Sequence, residues 1–237
     1  MEQFIVEPSF WEIFPEARIG VIIARGIDNT IKQAERYEPL LRSAEVAARD
    51  HLSDPVLSQN EVVAVWRDAF RRFKTKKGAR SSIEALLKRV QRGDQIRPIN
   101  PLVDLYNAIS LTYGLPCGGE DIDAFEGDLR LGLARGGESF VTLGSDEDAP
   151  PLAGEIIYYD EAGAVCRCWN WRESVRTRLR TDTRNAFLCL ELVDEKREPD
   201  LRAALEELSE LISSQLGGQI RWRVLNREQP RVNLINI

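Results

Sequence analysis

The chain is poor in the residue patterns that usually carry enzymatic chemistry. Its 237 residues include one histidine, His51, and no Cys-x-x-Cys pair among four cysteines, so a structural zinc site is not expected. His51 lies in a charged, helix-like segment far from any candidate nucleophile, which indicates a structural histidine. The phosphate loop, the dinucleotide fingerprint and the Gly-x-Ser-x-Gly elbow are also missing. We therefore expect no cofactor and no metal, and any hydrolysis would rely on positioned water and electrostatics.

Long apolar runs are equally scarce. No stretch approaches the roughly 20 apolar residues that span a bilayer. The first residues carry acid where a signal peptide would carry base, so we expect a cytoplasmic protein. In that compartment the four cysteines should be reduced and mostly buried.

Helical patterns dominate the first half of the chain. A helix is predicted over 31–52, interrupted or restarted at Pro39, and another over 62–73. Ser81 begins a capping box for a helix that stops at Gly93, and Asn100-Pro101 begins one that stops at Gly114. In this last helix, Asp104 and Asn107 should face water or a site.

The second half changes to the two-residue period of strands, with one late helix. That helix should run from Pro199-Asp200 to Gly217, and 160–163 should form a hairpin turn. Strands are predicted at 20–24, 129–134, 140–143, 156–159, 165–169, 185–192 and 220–225. Helices first and strands second favour an α+β fold with a mixed or mostly antiparallel sheet flanked by helices. We expect one domain over 1–237.

The net charge of −6 hides basic segments. Between Arg67 and Arg97 there are eleven Lys or Arg against three acids, and a second basic run spans Arg167 to Arg184. Such segments can bind a polyanion locally, although a solvated helix face explains them equally well. The candidate RNA-binding residues are Arg71, Arg72, Lys74, Lys76, Lys77, Arg176 and Arg178.

Polar groups cluster around the predicted strands. Leu115 to Asp121 contains Gly118-Gly119 and is interpreted as a turn where backbone amides can approach a ligand. Strand alternation over 169–173 would place Trp169 and Trp171 on one face and Asn170 and Arg172 on the other. Alternatively, both tryptophans belong to the core and Arg172 pairs with Glu173 on the surface.

These segments together resemble the tRNA-editing (B3/B4) domain of the bacterial phenylalanyl-tRNA synthetase β subunit. The resemblance covers about 81–192, and the pairing of the Asn-Pro-Leu-Val-Asp helix with Trp-Asn-Trp-Arg-Glu is its most specific part. It is carried by residues 99–111, 114–116, 127–134, 136–138, 143–144, 154–160 and 166–173.

The resemblance implies hydrolysis of mischarged aminoacyl-tRNA, carried out in trans by a free-standing relative. Asn107 falls where the family has a pocket asparagine, Glu173 where it has the glutamate that recognises the substrate side chain, and Gly118 where it has a pocket histidine. The Gly118 and Gly119 amides would stabilise the oxyanion, and Glu120 or Glu173 would bind the α-amino group. Further candidates for substrate binding are Pro116, Glu138, Asn170, Arg172 and Thr183.

Three functions stay open on the sequence alone. The chain is either a deacylase acting on aminoacyl-tRNA, with a synthetase as a possible further partner, or a non-catalytic module that binds an amino acid, a nucleoside or the tRNA acceptor end. Glycine at position 118 favours the second slightly, and fold alone does not carry function. A hydrolase for another small ester or amide is the third alternative.

Overall fold

A computed structural model describes residues 2–30 and 36–235. Within these ranges the chain forms six α-helices and ten strands. The helices are α1 Pro8–Ile13, α2 Glu38–Ala47, α3 Glu61–Ala69, α4 Ser82–Arg92, α5 Pro101–Tyr113 and α6 Glu198–Leu216. The strands are β1 Gln3–Val6, β2 Arg18–Arg25, β3 Cys117–Asp121, β4 Leu129–Leu133, β5 Ile156–Asp160, β6 Gly163–Arg167, β7 Arg172–Glu173, β8 Asn185–Leu192, β9 Gln219–Leu225 and β10 Arg231–Asn233.

The strands form two sheets. One has six strands in the order β10-β1-β4-β5-β6-β7, and the other has four in the order β3-β8-β2-β9. Every strand pair is antiparallel except β1 with β4. The predicted α+β class with mostly antiparallel sheets flanked by helices is therefore confirmed.

Two hydrophobic cores cover the two faces of the four-stranded sheet. On β8, Phe187 and Cys189 belong to the core facing the six-stranded sheet, whereas Leu188 and Leu190 belong to the core facing α5 and α6. The central strand β2 is buried in the same way on both sides, which explains its continuous apolar sequence.

Local signals place the helices well. The Ser81 side chain accepts the Glu84 amide at the start of α4, and the Asn100 side chain accepts the Val103 amide at the start of α5. Both helices end, as predicted, at a glycine in the left-handed conformation. Helix α2 starts at Glu38 with Pro39 in its first turn, and the predicted helical residues 31–35 lie outside the described ones.

Three predicted elements are wrong. Residues 140–143 form no strand, only a single bridge between Thr142 and Ser174. The loop satisfies its own backbone there, because Asp148 accepts the Phe140 amide and Phe140 accepts the Ala149 amide. The segment interpreted as a turn at 115–121 is instead strand β3, because its backbone pairs with β8 from Cys117 to Asp121.

The third error is the strand through Trp169. The chain leaves β6 at Arg167, and Cys168 and Trp169 both adopt positive φ angles, 47° and 63°. This costly conformation turns Trp169 into the core, where its ring packs on Phe10, Phe14 and Trp66 at centroid distances of 4.8 to 5.0 Å. The expected alternation of Trp169 and Trp171 with Asn170 and Arg172 is therefore lost.

Asp104 also differs from expectation. It is buried rather than facing water or a site, and it accepts the Ile99 amide at the beginning of α5. Burial raises the pKa of its carboxyl to about 6. No helix within 2–30 or 36–235 combines the length and hydropathy needed to cross a bilayer.

Candidate functional site

A cavity of about 520 Å³ opens between the two sheets. Strands β3 and β8 supply one wall, and β5, β6 and the segment from Trp169 to Glu173 supply the opposite one. Helix α4 contributes Ser82 and Arg89 at its border. The cavity therefore lies where the antiparallel sheets meet, and its lining comes from parts of the chain far apart in sequence.

Three glutamates line this cavity. Glu120 comes from β3, Glu173 from β7 and Glu191 from β8. Burial raises the pKa of Glu173 and of Glu191 to about 7. Burial, together with the Glu173 charge, also raises the pKa of Glu120 well above its ordinary value. The cavity thus holds two carboxyl groups, Glu173 and Glu191, with a pKa near 7, and a third, Glu120, whose pKa is raised.

Glu191 is held from both sheets. Its carboxyl accepts hydrogen bonds from the Tyr158 hydroxyl and from the Asn170 amide nitrogen, each at 2.5 Å. Its backbone amide donates to the Pro116 carbonyl at 3.3 Å. Pro116 thus acts on the site through the backbone of β8 and does not line the cavity itself.

The two glycines of β3 face opposite sides of the strand. An added Cβ at Gly118 would lie 3.7 Å from Oε1 of Glu173, in ordinary contact. At Gly119 it would lie 2.8 Å from Leu179 and 3.3 Å from Leu188, in the core that faces the helices. Gly118 therefore leaves the cavity unfilled at that position, whereas Gly119 lets the strand pack closely.

The amides of these glycines also differ. The backbone amide of Glu191, on β8, donates to the Pro116 carbonyl just before β3. The Asp121 amide donates to the Thr177 carbonyl, which lies along the other edge of β3. Because amides alternate between the two edges of a strand, the Gly118 amide is directed to β8 and the Gly119 amide to the outer edge. The Gly119 amide interacts there with Glu173 and opposes the rise of its pKa.

Trp171 and Arg172 form the mouth of the cavity. The Arg172 guanidinium lies 4.7 Å from the centre of the Trp171 ring and is exposed. It stacks on this ring rather than pairing with Glu173, as the alternative interpretation had it. An indole plane carrying a cation can stack on a nucleic acid base.

The cavity gathers six of the residues singled out in the sequence and leaves four outside. Gly118, Gly119, Glu120, Asn170, Arg172 and Glu173 line it. Asn107 is half-buried on α5, and the Pro116 carbonyl accepts the backbone amide of Glu191. Glu138 caps its own turn by accepting the amides of residues 135 and 136, and Thr183 binds Asp121 at 2.7 Å.

The basic residues divide in a similar way. Lys74, Lys76 and Lys77 are exposed, and Arg71, just after α3, pairs with Asp68 of that helix. These residues lie near a second cavity of about 410 Å³ whose lining includes Arg71 and Arg80. Ser81 lines this cavity and Ser82 lines the first, so the start of α4 contributes to both.

The other three basic candidates are less free. Arg72 stacks on Phe14 at 4.2 Å and donates to the Ile13 carbonyl, and Arg178 is half-buried, with its backbone in an isolated β-bridge to Glu120. Arg176 makes a two-pronged ion pair with the buried Asp160, at 2.6 and 2.9 Å. These contacts favour a structural role for Arg176.

Sequence reasoning missed Glu191, Tyr158 and the two thiols of Cys166 and Cys189 in the lining. The available signal was a single carboxylate in the otherwise apolar strand 186–192, at the same parity as Phe187 and Cys189. All four cysteines are buried and free, as predicted. In the described part of the chain, no group of three or more His, Cys, Asp or Glu side chains is arranged to hold a metal ion.

Comparison with known proteins identifies the family. The sequence model of the B3/4 domain family matches residues 65–214 of this chain. This chain belongs to the B3/4 domain family. The resemblance drawn from residues 81–192 is thereby confirmed as a family relationship.

Curated relatives are similar to a shorter part of the chain. Phenylalanine–tRNA ligase β subunits from two Streptococcus pneumoniae strains are each 45% identical over 62 residues, which is 26% of this chain and 8% of theirs. The β subunit from Latilactobacillus sakei subsp. sakei is 45% identical over 65 residues, again 26% and 8%. The chain therefore matches less than a tenth of each relative's length.

Among solved structures, an N-terminal fragment of the phenylalanyl-tRNA synthetase β subunit from Pyrococcus horikoshii aligns with 92% of this chain and 50% of its own. The sequence identity is 14% and the TM-score is 0.48.

Proposed function

We propose that this B3/4 domain protein hydrolyses the ester of mischarged aminoacyl-tRNA, acting in trans. The observation that carries the proposal is the cavity itself: it encloses three carboxyl groups and the outward amide of Gly119 on the fold of this family. An aminoacyl ester is already activated, so water that is well oriented beside an oxyanion donor is sufficient chemistry.

Glu173 is the residue best suited to act on that water. Its pKa of about 7 makes it an effective proton acceptor near neutral pH. In the proposed step the water oxygen bonds to the ester carbonyl carbon while Glu173 takes a proton. The Gly119 amide stabilises the oxyanion, the bond to the ribose oxygen breaks, and Glu173 returns the proton to that oxygen.

Glu120 is the candidate partner of the α-amino group. It is buried, and its Oε2 completes no hydrogen bond, although Thr177 lies beside it. The Trp171–Arg172 pair would stack on the terminal adenosine, and the exposed lysines of 74–77 would meet phosphates of the acceptor stem. tRNA is thus the proposed partner, and we propose a synthetase as a second partner of the same surface.

A deacylation screen over many aminoacyl-tRNA pairs tests the proposal. Glu173→Gln should lower kcat/KM by roughly 100-fold or more, because a general base is lost. Glu206→Gln, on the exposed face of α6, makes the same charge change and should leave the rate unchanged. Equal rates for the two variants would contradict the role of Glu173.

The same screen decides between the alternatives. Saturable binding without turnover would indicate a non-catalytic module. The lack of a side chain at Gly118 favours this alternative. Equal turnover of a minimal aminoacyl ester and of the tRNA ester would indicate a general small-ester hydrolase. Asn107→Ala belongs in the screen as well, because a rate loss would show that Asn107 acts on the site from outside the cavity lining.

A further inference from the structure

The cavity has a surplus of buried hydrogen-bond acceptors. Oδ1 of Asn170 and Oε2 of Glu120 are both shielded from solvent and complete no hydrogen bond, and among the described residues the Thr177 hydroxyl beside Glu120 is the one protein donor that interacts with that carboxyl. Glu120 is more than nine-tenths buried and lines the cavity. Buried acceptors of this kind are normally satisfied, so an occupant with several N–H donors fits the cavity better than an apolar one.

Glu191 adds acceptor capacity at the same place. A carboxylate offers about four lone-pair directions, and Tyr158 and Asn170 occupy two of them. The Trp169 indole N–H faces Glu191 without completing a hydrogen bond. Glu191 is 1% exposed, so bulk solvent does not hydrate its carboxyl group.

Cations are found only at the edge of this cavity. Among the described lining residues the basic ones are Arg89 and Arg172, and both are exposed. Arg176 lowers the pKa of Glu120, but its guanidinium is bound to Asp160 and does not line the cavity. Glu120 and Glu191 are thus buried and Glu173 is half-buried in a cavity whose described lining places no positive charge away from its edge.

Counting charges distinguishes the three carboxyl groups. On the function proposed above, Glu173 acts on water and Glu120 binds the α-amino group, which leaves Glu191 without a partner of opposite charge. Phe187 and Trp169 line the same space and offer apolar walls for a methylene chain.

Resting on that function, we propose that the cavity accepts an aminoacyl group with a cationic side chain, and that Glu191, held by Tyr158 and Asn170, binds this positive charge. Glu191 is then a specificity-determining residue. A bound ammonium also lowers the pKa of Glu191, which otherwise stays near 7, so binding releases protons at neutral pH.

The test compares two esters on the same tRNA. One carries lysine and the other 2-aminoheptanoic acid, whose side chain has the same length but ends in a methyl group. We expect kcat/KM to be at least 10-fold higher for lysine. Glu191→Gln should bring the ratio of the two rates to within twofold of one, whereas Glu206→Gln, on the exposed face of α6, should keep the wild-type ratio.

Tyr158→Phe is the second variant. It keeps the Glu191 charge and removes one of its two supporting hydrogen bonds, so the ratio should fall only in part. A variant that fails to fold is recognised by its unfolding transition, and the other then decides. A wild-type ratio near one, or a ratio that neither variant changes, would overturn the proposal.

Binding measurements separate this inference from the deacylase function. The probes are adenosines whose 3′-amino group carries lysine or 2-aminoheptanoic acid as an uncleavable amide, measured by calorimetry in two buffers of different ionisation enthalpy. A 10-fold preference for lysine with proton release, but no ester turnover, would overturn the deacylase and support the role of Glu191. Turnover of both esters without preference would overturn the role of Glu191 alone.

Discussion

Alanine at Gly118 and at Gly119 should have opposite consequences, although the two glycines are neighbours. At Gly119 the new methyl group would lie 2.8 Å from Cδ1 of Leu179. Overpacking of this kind costs about 1–3 kcal/mol, which in a chain of this size lowers Tm by roughly 2–12 °C. At Gly118 the nearest atoms are 3.7 and 3.8 Å away, so no clash arises.

Gly118→Ala should instead change function. Losing glycine's freedom in the unfolded chain stabilises by about 0.4–1 kcal/mol, so the unfolding free energy should stay within about 1 kcal/mol of wild type. Its methyl group stands beside Glu173 in the cavity, and we expect kcat/KM for a susceptible ester to change at least about 10-fold. Thermal unfolding and deacylation are measured on both variants. Loss of stability at Gly118 with none at Gly119 would refute the assignment of the two faces of β3.

Three further predictions concern charge. Burial raises the pKa of Glu173 and Glu191 from 4.5 to about 7, so the folded state holds protons that the unfolded state has lost. The unfolding free energy should therefore fall as the pH rises from 4.5 to 7, by roughly 3 kcal/mol per group; denaturant titrations should show this, and Glu191→Gln should remove its own share of the fall and leave that of Glu173. Glu155→Gln should cost about 3–5 kcal/mol in the same assay, because it leaves the buried Arg167 guanidinium without the carboxylate it binds at 2.6 and 3.1 Å; an unchanged stability would contradict a buried pair. Replacing the three lysines of 74–77 by alanine should weaken tRNA binding and reduce the slope of log K against log salt by about 2–3, and an unchanged slope would exclude this segment from the tRNA interface.

Local chemistry explains why several elements were predictable. Ser81 and Asn100 cap their helices, and Gly93 and Gly114 end them, through interactions within a few residues of chain. Strand β3 was missed because two glycines in a row usually signal a turn. Here the glycines are needed inside a strand, since Leu179 approaches the Gly119 backbone, and only the folded chain contains that contact.

The candidate site was predictable only in part for a related reason. Motif neighbours such as Glu138 and Thr183 are close to the site in sequence, yet their side chains bind other partners. Glu191 is distant from the recognised segments and becomes visible only once Tyr158 and Asn170 meet it across the two sheets. The left-handed pair Cys168–Trp169 redirects the chain just before Asn170, and strand periodicity does not anticipate such a turn.

Strand β8 carries one further consequence for how this family can diversify. Its residues of one parity, Phe187, Cys189 and Glu191, face the cavity, while those of the other parity fill the core under the helices. Substitutions at the first set can therefore accumulate without disturbing the second. Ligand preference can thus change through one face of a single strand while the other face keeps its packing. An insertion of one residue would exchange the cavity face and the core face of β8.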